Sequence, residues 1–427
     1  MNKHIYKGWL ATLLVLFALT GCSVVSAFSP TVGPTNTPEP TQTPAPTFTP
    51  TPTEIPFYLN ATVWNSDLEV PILIYHEFVP NYMKTDATKM RLADFENEIQ
   101  AFYDNGYSLI SLKEWINGTF TLPEGKKPLI ITIDDLWFGN QIFINDDGTP
   151  NEYSGIGVLW RFNQEHPDFG FKAALFAING DKYYPEKVVG DMFQAADGIT
   201  WNTPSWRIKL GNTIAWAVDH GLEVYNHTLH HYFYWTTSTN AVIKSELSEN
   251  DYTLRDFLTE ADRSDVIAKL DNIIALPQGL WPDSYSGKQI VMDYKNPEGK
   301  PVMAIMEAYN MDAARLTPSI FSGNLDTNHI ARITASRFMT QFIIDHKDQV
   351  PTMMACKLGP LEASQASDLN VIQAAIQTAV SAQTCPEGIY NVNGNVFIAK
   401  AGNVTLYKAN TDAAVPAQPT PTPTATP

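Results

Sequence analysis

The stretch "IITIDDLWFG", Ile130 to Gly139, decides how the chain is read. An apolar run ends in two adjacent carboxylates, Asp134 and Asp135, and the pattern then breaks. A strand apolar at nearly every position is buried on both faces, as in a parallel sheet covered by helices. Two neighbouring carboxylates repel, and burying them is costly unless a cation or a proton offsets the charge. The stretch therefore predicts either a metal or a shared proton at a strand end.

The flanking sequence repeats the alternation. "VPILIYHEF" (70–78), "PLIITID", "KAALFAI", "LEVYN", "VMAIMEAY" (302–309) and "HIARITAS" (329–336) read as strands. Between them, "RLADFENEIQAFYDNGY" places Leu92, Phe95, Ile99, Phe102 and Tyr103 on one helical face, and Gly106 closes it. Ser111 to Glu114 fits a capping box. "GVLWRFNQEHP" and "GNTIAWAVDHG" read as helices, and a long polar helix is expected from about Ser238 to Leu258. This argues for a parallel α/β domain, with barrel and open sheet both compatible. From about 350 the texture changes, and "CPEGIYNVNGNVFIAKAGNVTLYKA" (385–409) reads as hairpins turned at Asn-Gly and Gly-Asn.

Sites in parallel α/β folds collect at the carboxyl ends of the strands. Asp134 and Asp135 sit at one such end, "NHTLHH" (Asn226–His231) at another, and "YHE" (Tyr75–Glu77) in the first strand. His227 and His231 are spaced i, i+4, which on a helical turn lets both rings grip one metal. Asp135 would complete a His₂Asp set with open positions, the pattern of a catalytic rather than a structural metal. The metal then offsets one carboxylate and leaves the other as a base. His230 fits a supporting place better than a ligand position. Asp146 and Asp147 fit turn chemistry better than calcium binding. Trp137, Trp160, Trp201, Trp206, Trp235 and Trp281 read mainly as packing, with sugar stacking the alternative use.

The ends of the chain carry a different message. Lys3 and Lys7 precede "LATLLVLFAL", an apolar core of about 10 residues against the roughly 20 that a membrane span needs. "LTGC", Leu19 to Cys22, resembles a bacterial lipobox, with Cys22 lipidated as the first mature residue. The alternative is an ordinary signal cut after Ala27, and both imply export. With Cys22 lipidated, two of the three cysteines remain, and Cys356–Cys385 is the natural disulfide in an oxidising compartment, against two separate buried thiols. Residues 29–56 are dominated by Pro and Thr and cannot bury a core, so they read as an extended stalk. The net charge of −17 without a basic patch argues against nucleic acid as a partner.

"LIYHE", "TIDD" and "HTLHH", in this order, resemble the polysaccharide deacetylases of carbohydrate esterase family 4, in the branch with a Tyr-His near the domain start that includes poly-N-acetylglucosamine deacetylases. The resemblance covers roughly residues 68–345. It implies an α/β fold, a distorted (β/α) barrel, and metal-dependent removal of N-acetyl groups from amino-sugar polysaccharide. By motif, Asp134 would be the general base, and Asp135, His227 and His231 would hold a divalent metal, zinc for preference. The segment Ala275–Gly279 corresponds to the family's Arg-x-Pro-Tyr-Gly, so the Gln278 N–H would hold the oxyanion. His76 would protonate the leaving amine, because the family's late Leu-x-His is not evident. Three departures stand out: Leu136 for Gly, Ala275 for Arg and Gln278 for Tyr. Loss of the Arg predicts a less firmly oriented Asp134, and a glycan-binding lipoprotein without turnover is the alternative reading.

The organisation expected is a signal peptide (1–22), a linker (23–56), a deacetylase domain (57–349), a small β-rich C-terminal region (350–410) and a Pro/Thr tail (411–427). The protein would be membrane-anchored through lipid and face outside. Cys22→Ser is expected to block lipidation and leave the precursor uncleaved or mislocalised in membrane fractionation. Normal membrane attachment of that variant would contradict the lipobox.

Overall fold

The computed structural model describes residues 57–64, 69–136, 139–180, 187–189, 192–194, 204–309, 317–318 and 327–410. The signal segment with Cys22, the linker and the tail lie outside them.

Seven parallel strands form a closed barrel. In chain order they are Ile72–Tyr75, Lys127–Ile133, Ala174–Ala177, Glu223–Asn226, Ile273–Ala275, Ala304–Tyr309 and Ile330–Thr334, called here the first to seventh barrel strands. Each pairs with its successor, and the seventh returns to the first, which also pairs with the second. Tyr107–Leu109 adds to the second strand outside the ring. The expected barrel is thus present.

The strands are short and apolar on both sides for the reason the sequence suggests. Ile72, Ile130, Ala174, Phe176, Tyr225, Ile273, Ala275, Ala304, Met306 and Ile330 fill the interior as one cluster. Their neighbours Leu73, Ile131, Ile133, Leu175 and Val224 face the outer helices. Helix Leu92–Asp104 buries Phe95, Ile99 and Phe102, and the chain turns after it through Gly106 at φ 81°. Helix Leu112–Asn117 starts with the Ser111 hydroxyl accepting the Glu114 N–H at 3.0 Å, the first half of a capping box. The long helix runs Asn240–Glu260, capped by Thr239.

A second sheet is antiparallel, in the order Met354–Leu361, Phe57–Trp64, Gly388–Val392, Asn395–Lys400, Asn403–Lys408. The hairpin readings hold: turns at Asn393-Gly394 (φ 52° and 80°) and Ala401-Gly402 (φ 51° and 73°) give the twist that two-residue hairpins need. Its second strand comes from the amino-terminal side of the barrel, so both ends of the described chain build this sheet. Helix Leu369–Ser381 covers one face through Ile372 and Ile376. The other face joins the barrel through Trp64, Ile389 and Val396. Trp64 stacks on Phe120 at 4.1 Å. The contact lies on the side of Glu223, which opens the fourth strand and accepts the Leu112 N–H at 3.1 Å. The sheet therefore plugs the end of the barrel away from the carboxyl ends, where residues serve stability.

Cys356, in the edge strand Met354–Leu361, and Cys385, in the turn after helix Leu369–Ser381, form a disulfide with a sequence separation of 29. In the chain-entropy account a loop of that size contributes roughly 3–4 kcal/mol. Replacing both cysteines by Ser is expected to lower unfolding free energy by about that amount in denaturant titration. Two reactive thiols in the native protein would contradict the bridge.

Candidate active site

Alternation along the second strand points Ile130, Thr132 and Asp134 into the barrel. Asp134 is buried there and meets Arg332, which points inward from the seventh strand and is fully buried. The pair is bidentate: Nη1 donates to Oδ1 at 2.6 Å and Nη2 to Oδ2 at 2.8 Å. Nη1 also donates to the Thr132 hydroxyl at 3.1 Å, Nε to the Glu307 carbonyl at 3.3 Å, and the guanidinium lies over the Phe176 ring at 5.0 Å. Burial pushes the Asp134 carboxyl up, but Arg332, then His227, and more weakly His76 outweigh it and hold it well below the usual carboxylate range.

Arg332 corrects one expectation. Ala275 does leave the fifth strand without the family's Arg, yet Asp134 is not loosely held, because an Arg from the seventh strand takes that place. A single Arg at an interior position of "HIARITAS" was the available signal, since a charge there needs a buried partner.

Asp135 would point outward if the strand continued. Instead its φ is 69°, and Leu136 follows at φ 31° with its side chain in the outer core. This left-handed turn, where the family has Gly, brings Asp135 back over the barrel mouth. Both carboxylates so converge near His227, with Asp134 Oδ2 and Asp135 Oδ1 each 3.6 Å from His227 Nε2.

His227 continues the inward side of the fourth strand after Tyr225 and is buried. Its Nδ1–H donates to the Ala275 carbonyl at 2.9 Å, which leaves Nε2 as the lone-pair nitrogen facing the carboxylates. Burial pushes this imidazole down to about 4, against the pull of Asp134 and Asp135, so it is neutral near pH 7. The His227 and His231 rings lie 4.8 Å apart. They are not on a helical turn, as their spacing suggested: Thr228 (φ 64°) and His231 (φ 52°) are left-handed, and the segment is a bent loop. The loop is pinned from within. Asn226 Oδ1 accepts the Thr228 N–H at 2.8 Å and an Asn250 Nδ2–H at 3.0 Å. Asn250, from the long helix, also donates to the Ala177 carbonyl and accepts the Asn179 N–H.

Asp135, His227 and His231 offer ligand atoms within 4.8 Å of one another. A carboxylate and two imidazoles, one oriented by a backbone carbonyl, are a fitting donor set for zinc or a similar divalent ion. Gln278 completes this side. Its N–H points at His231 Nε2 at 3.2 Å, from a left-handed residue (φ 57°). The next residue must be Gly279, since a Cβ there would lie 2.3 Å from the Ala308 backbone nitrogen.

His76 follows the inward-facing Ile72 and Ile74 and is half-buried. Gln141, fully buried, ties this end to Asp134: its Nε2 donates to the His76 carbonyl at 2.8 Å and the Asp134 carbonyl at 2.7 Å. The remaining candidates fall outside the cluster. His230 is turned to the buried Glu246, which accepts both its N–H and its Nδ1–H at 2.8 Å. Asp147 accepts the Thr149 N–H and hydroxyl, as a turn residue does. Trp235 is core, Trp160 packs on Phe171 and Trp216, and Trp281 donates to Glu307. Trp137, Trp201 and the side chain of Trp206 lie outside the described residues.

No protein-family model matches the chain, and no curated protein is significantly similar to it. Among solved structures, it is similar to the deacetylase PplD of Streptococcus pyogenes (16% identity, TM-score 0.39, 63% of this chain and 92% of that one). It is similar to IcaB from Ammonifex degensii (13%, TM-score 0.41, 66% and 97%). It is also similar to a de-N-acetylase from Aggregatibacter actinomycetemcomitans (12%, TM-score 0.39, 65% and 99%).

Two predictions follow from the geometry. In zinc titration calorimetry, His227→Ala and His231→Ala should each bind at least about 100-fold more weakly than the parent, more than changes to supporting residues alone cost. Unaltered affinity would mean the ligands are misassigned. Arg332→Met should destabilise the fold by about 3–5 kcal/mol at pH 7, because it strands a buried carboxylate. The sign with pH is set by Asp134. In the parent its depressed pKa gives stability that is present above the unfolded value and lost as pH falls through the folded one. In the variant the carboxyl loses its largest downward influence, and burial pushes it up against His227 and His76 alone, so the deficit should shrink on acidification. It should shrink at pH 7 when Asp134→Asn is added.

Proposed function

We propose that this chain is a metal-dependent deacetylase that removes N-acetyl groups from amino-sugar polysaccharide at the outer face of the membrane, anchored by lipid on Cys22. The observation that carries the reading is the split fate of the two adjacent carboxylates. Asp134 is locked inward on Arg332, while Asp135 turns out to join His227 and His231.

A divalent ion held by Asp135, His227 and His231 would polarise the acetamide carbonyl and acidify a water. The protein's own groups do the rest. Asp134 is ionised throughout the neutral range, and its Oδ2 lies 3.6 Å from His227 Nε2, at the ligand cluster. A carboxylate held this low is a weak base, so its task is to orient the water and accept its proton once that water is acidified. Arg332 fixes the carboxylate plane for this purpose. The Gln278 N–H, which here donates to His231 Nε2, would turn to the oxyanion of the tetrahedral intermediate if a metal took that lone pair. His76, held at the mouth by Gln141, would give the proton that the departing amine needs. The products are acetate and a free amino sugar. The binding-only alternative rests on Leu136, Ala275 and Gln278, and Arg332 supplies the pairing that Ala275 lacks.

Acetate release from chitooligosaccharides in the presence of Zn²⁺ or Co²⁺ tests the reading. Turnover is expected in the parent. His76→Ala is expected to lower it by about 10²–10⁴-fold, a general-acid contribution, with metal content unchanged. No acetate from any N-acetylated glycan would overturn the function. Loss of metal in the variant would make His76 a ligand or ligand support rather than the acid.

A further inference from the structure

Glu246 is a buried carboxylate that the mechanism above does not use. It lies on the buried face of helix Asn240–Glu260, one turn before Asn250, and is 3% exposed. Carboxylates reach such burial mainly when paired, yet among the described residues no Lys or Arg forms an ion pair with it. Both of its oxygens are taken up by one residue instead. Oε2 accepts the His230 N–H and Oε1 the His230 Nδ1–H, each at 2.8 Å. An ionised acceptor makes such bonds about twice as strong as neutral ones. His230 is thus gripped at backbone and ring together. The ring also stacks on Tyr232 at 5.1 Å, and Tyr232 on Tyr234 at 4.8 Å. The chain after the third barrel strand packs on the same place: the Gly180 N–H donates to the Leu229 carbonyl at 2.8 Å, and a Cβ on Gly180 would lie 2.9 Å from His230 Cδ2.

The residue so gripped stands directly before His231. Thr228 and His231 are both left-handed, a conformation that residues other than glycine keep when their surroundings enforce it. The same helix enforces the start of the loop. The Leu247 carbonyl accepts an Asn226 Nδ2–H at 2.9 Å, Asn250 donates to Asn226 Oδ1 at 3.0 Å, and that oxygen accepts the Thr228 N–H. The end of the loop is held more weakly. The His231 N–H reaches the Thr228 hydroxyl at 3.3 Å, and the Gln278 N–H donates to His231 Nε2 at 3.2 Å. The second of these bonds needs the lone pair that a metal would take. With metal bound, the turn at His231 therefore depends on Glu246.

We propose that Glu246 is a positioning residue for the metal site: by clamping His230 it holds the turn that presents His231 to Asp135 and His227. The inference rests on the metal-site reading. It adds that part of the site's affinity comes from a helix outside the barrel, through a residue that is not itself a ligand.

The test is zinc titration calorimetry, with the visible spectrum of the cobalt-substituted protein, on the full-length chain. Glu246→Ala should bind zinc about 10–100-fold more weakly than the parent, the range for groups that orient ligands. Its cobalt bands should change in position and intensity, because they report ligand geometry. A loss of stability alone would leave the bands of the metal-loaded molecules as they were. Glu246→Gln should restore affinity to within about threefold of the parent, since its Oε1 can accept the His230 N–H while its Nε2–H donates to Nδ1 of the other tautomer. Parent-like affinity in Glu246→Ala, weaker binding with parent-like bands, or no recovery in Glu246→Gln would overturn the role. If Glu246→Ala does not fold, His230→Ala decides, because it keeps the backbone bond and loses the ring bond. Weaker zinc binding with altered cobalt bands then supports the role, and parent affinity overturns it. A parent that binds neither ion would instead sink the metal-site reading, and this role with it.

Discussion

Everything at the mouth of this barrel depends on the buried pair of Asp134 and Arg332. An isolated carboxylate inside the barrel would simply take a proton, and an isolated guanidinium there would be costlier still. Together, with two short parallel hydrogen bonds and with Thr132 and the Glu307 carbonyl taking further donors, they form the arrangement that makes burial tolerable. The pair fixes a negative charge at a known place and orientation. That charge lowers the cost of assembling further cationic or metal-binding groups around it, and His227 stands beside it.

The second carboxylate gets its separate task from backbone geometry. A regular strand would have put Asp134 and Asp135 on opposite sides of the sheet. The left-handed conformations of Asp135 and Leu136 end the strand and fold the second side chain back. Thr228, His231 and Gln278 are left-handed for the same local purpose, on the loops after the fourth and fifth strands. Strained residues of this kind cluster where a site needs side chains that regular structure cannot deliver. Asn226, Asn250 and Gln141 hold these loops by bonding backbone groups of neighbouring strand ends.

Much of this was legible in the residues. Apolar runs and helical faces marked the barrel strands and most helices, because burial on two sides leaves a plain mark in composition. The cluster of Asp135, His227 and His231 was legible from residue types at strand ends. The loop form of 227–231 was not, since i, i+4 spacing fits a helical turn as well as a bent loop. The lone Arg332 inside an apolar strand signalled a buried partner but not which one, because Asp134 is 198 positions away and long-range pairing has no local signature. Helix Leu369–Ser381 falls inside the region expected to be β-rich, although its buried Ile372, Ala375, Ile376 and Ala379 recur at helical spacing. Nor did the sequence of 57–64 announce that it would pair with strands beyond residue 350.

The central claim is the division of labour between two adjacent aspartates, and a zinc-soaked crystal measured at the zinc absorption edge tests it most directly. The account predicts one anomalous peak bonded to Asp135, His227 and His231, with Asp134 still bidentate on Arg332. A peak bonded to Asp134 with Arg332 displaced, or no peak at these residues, would contradict it.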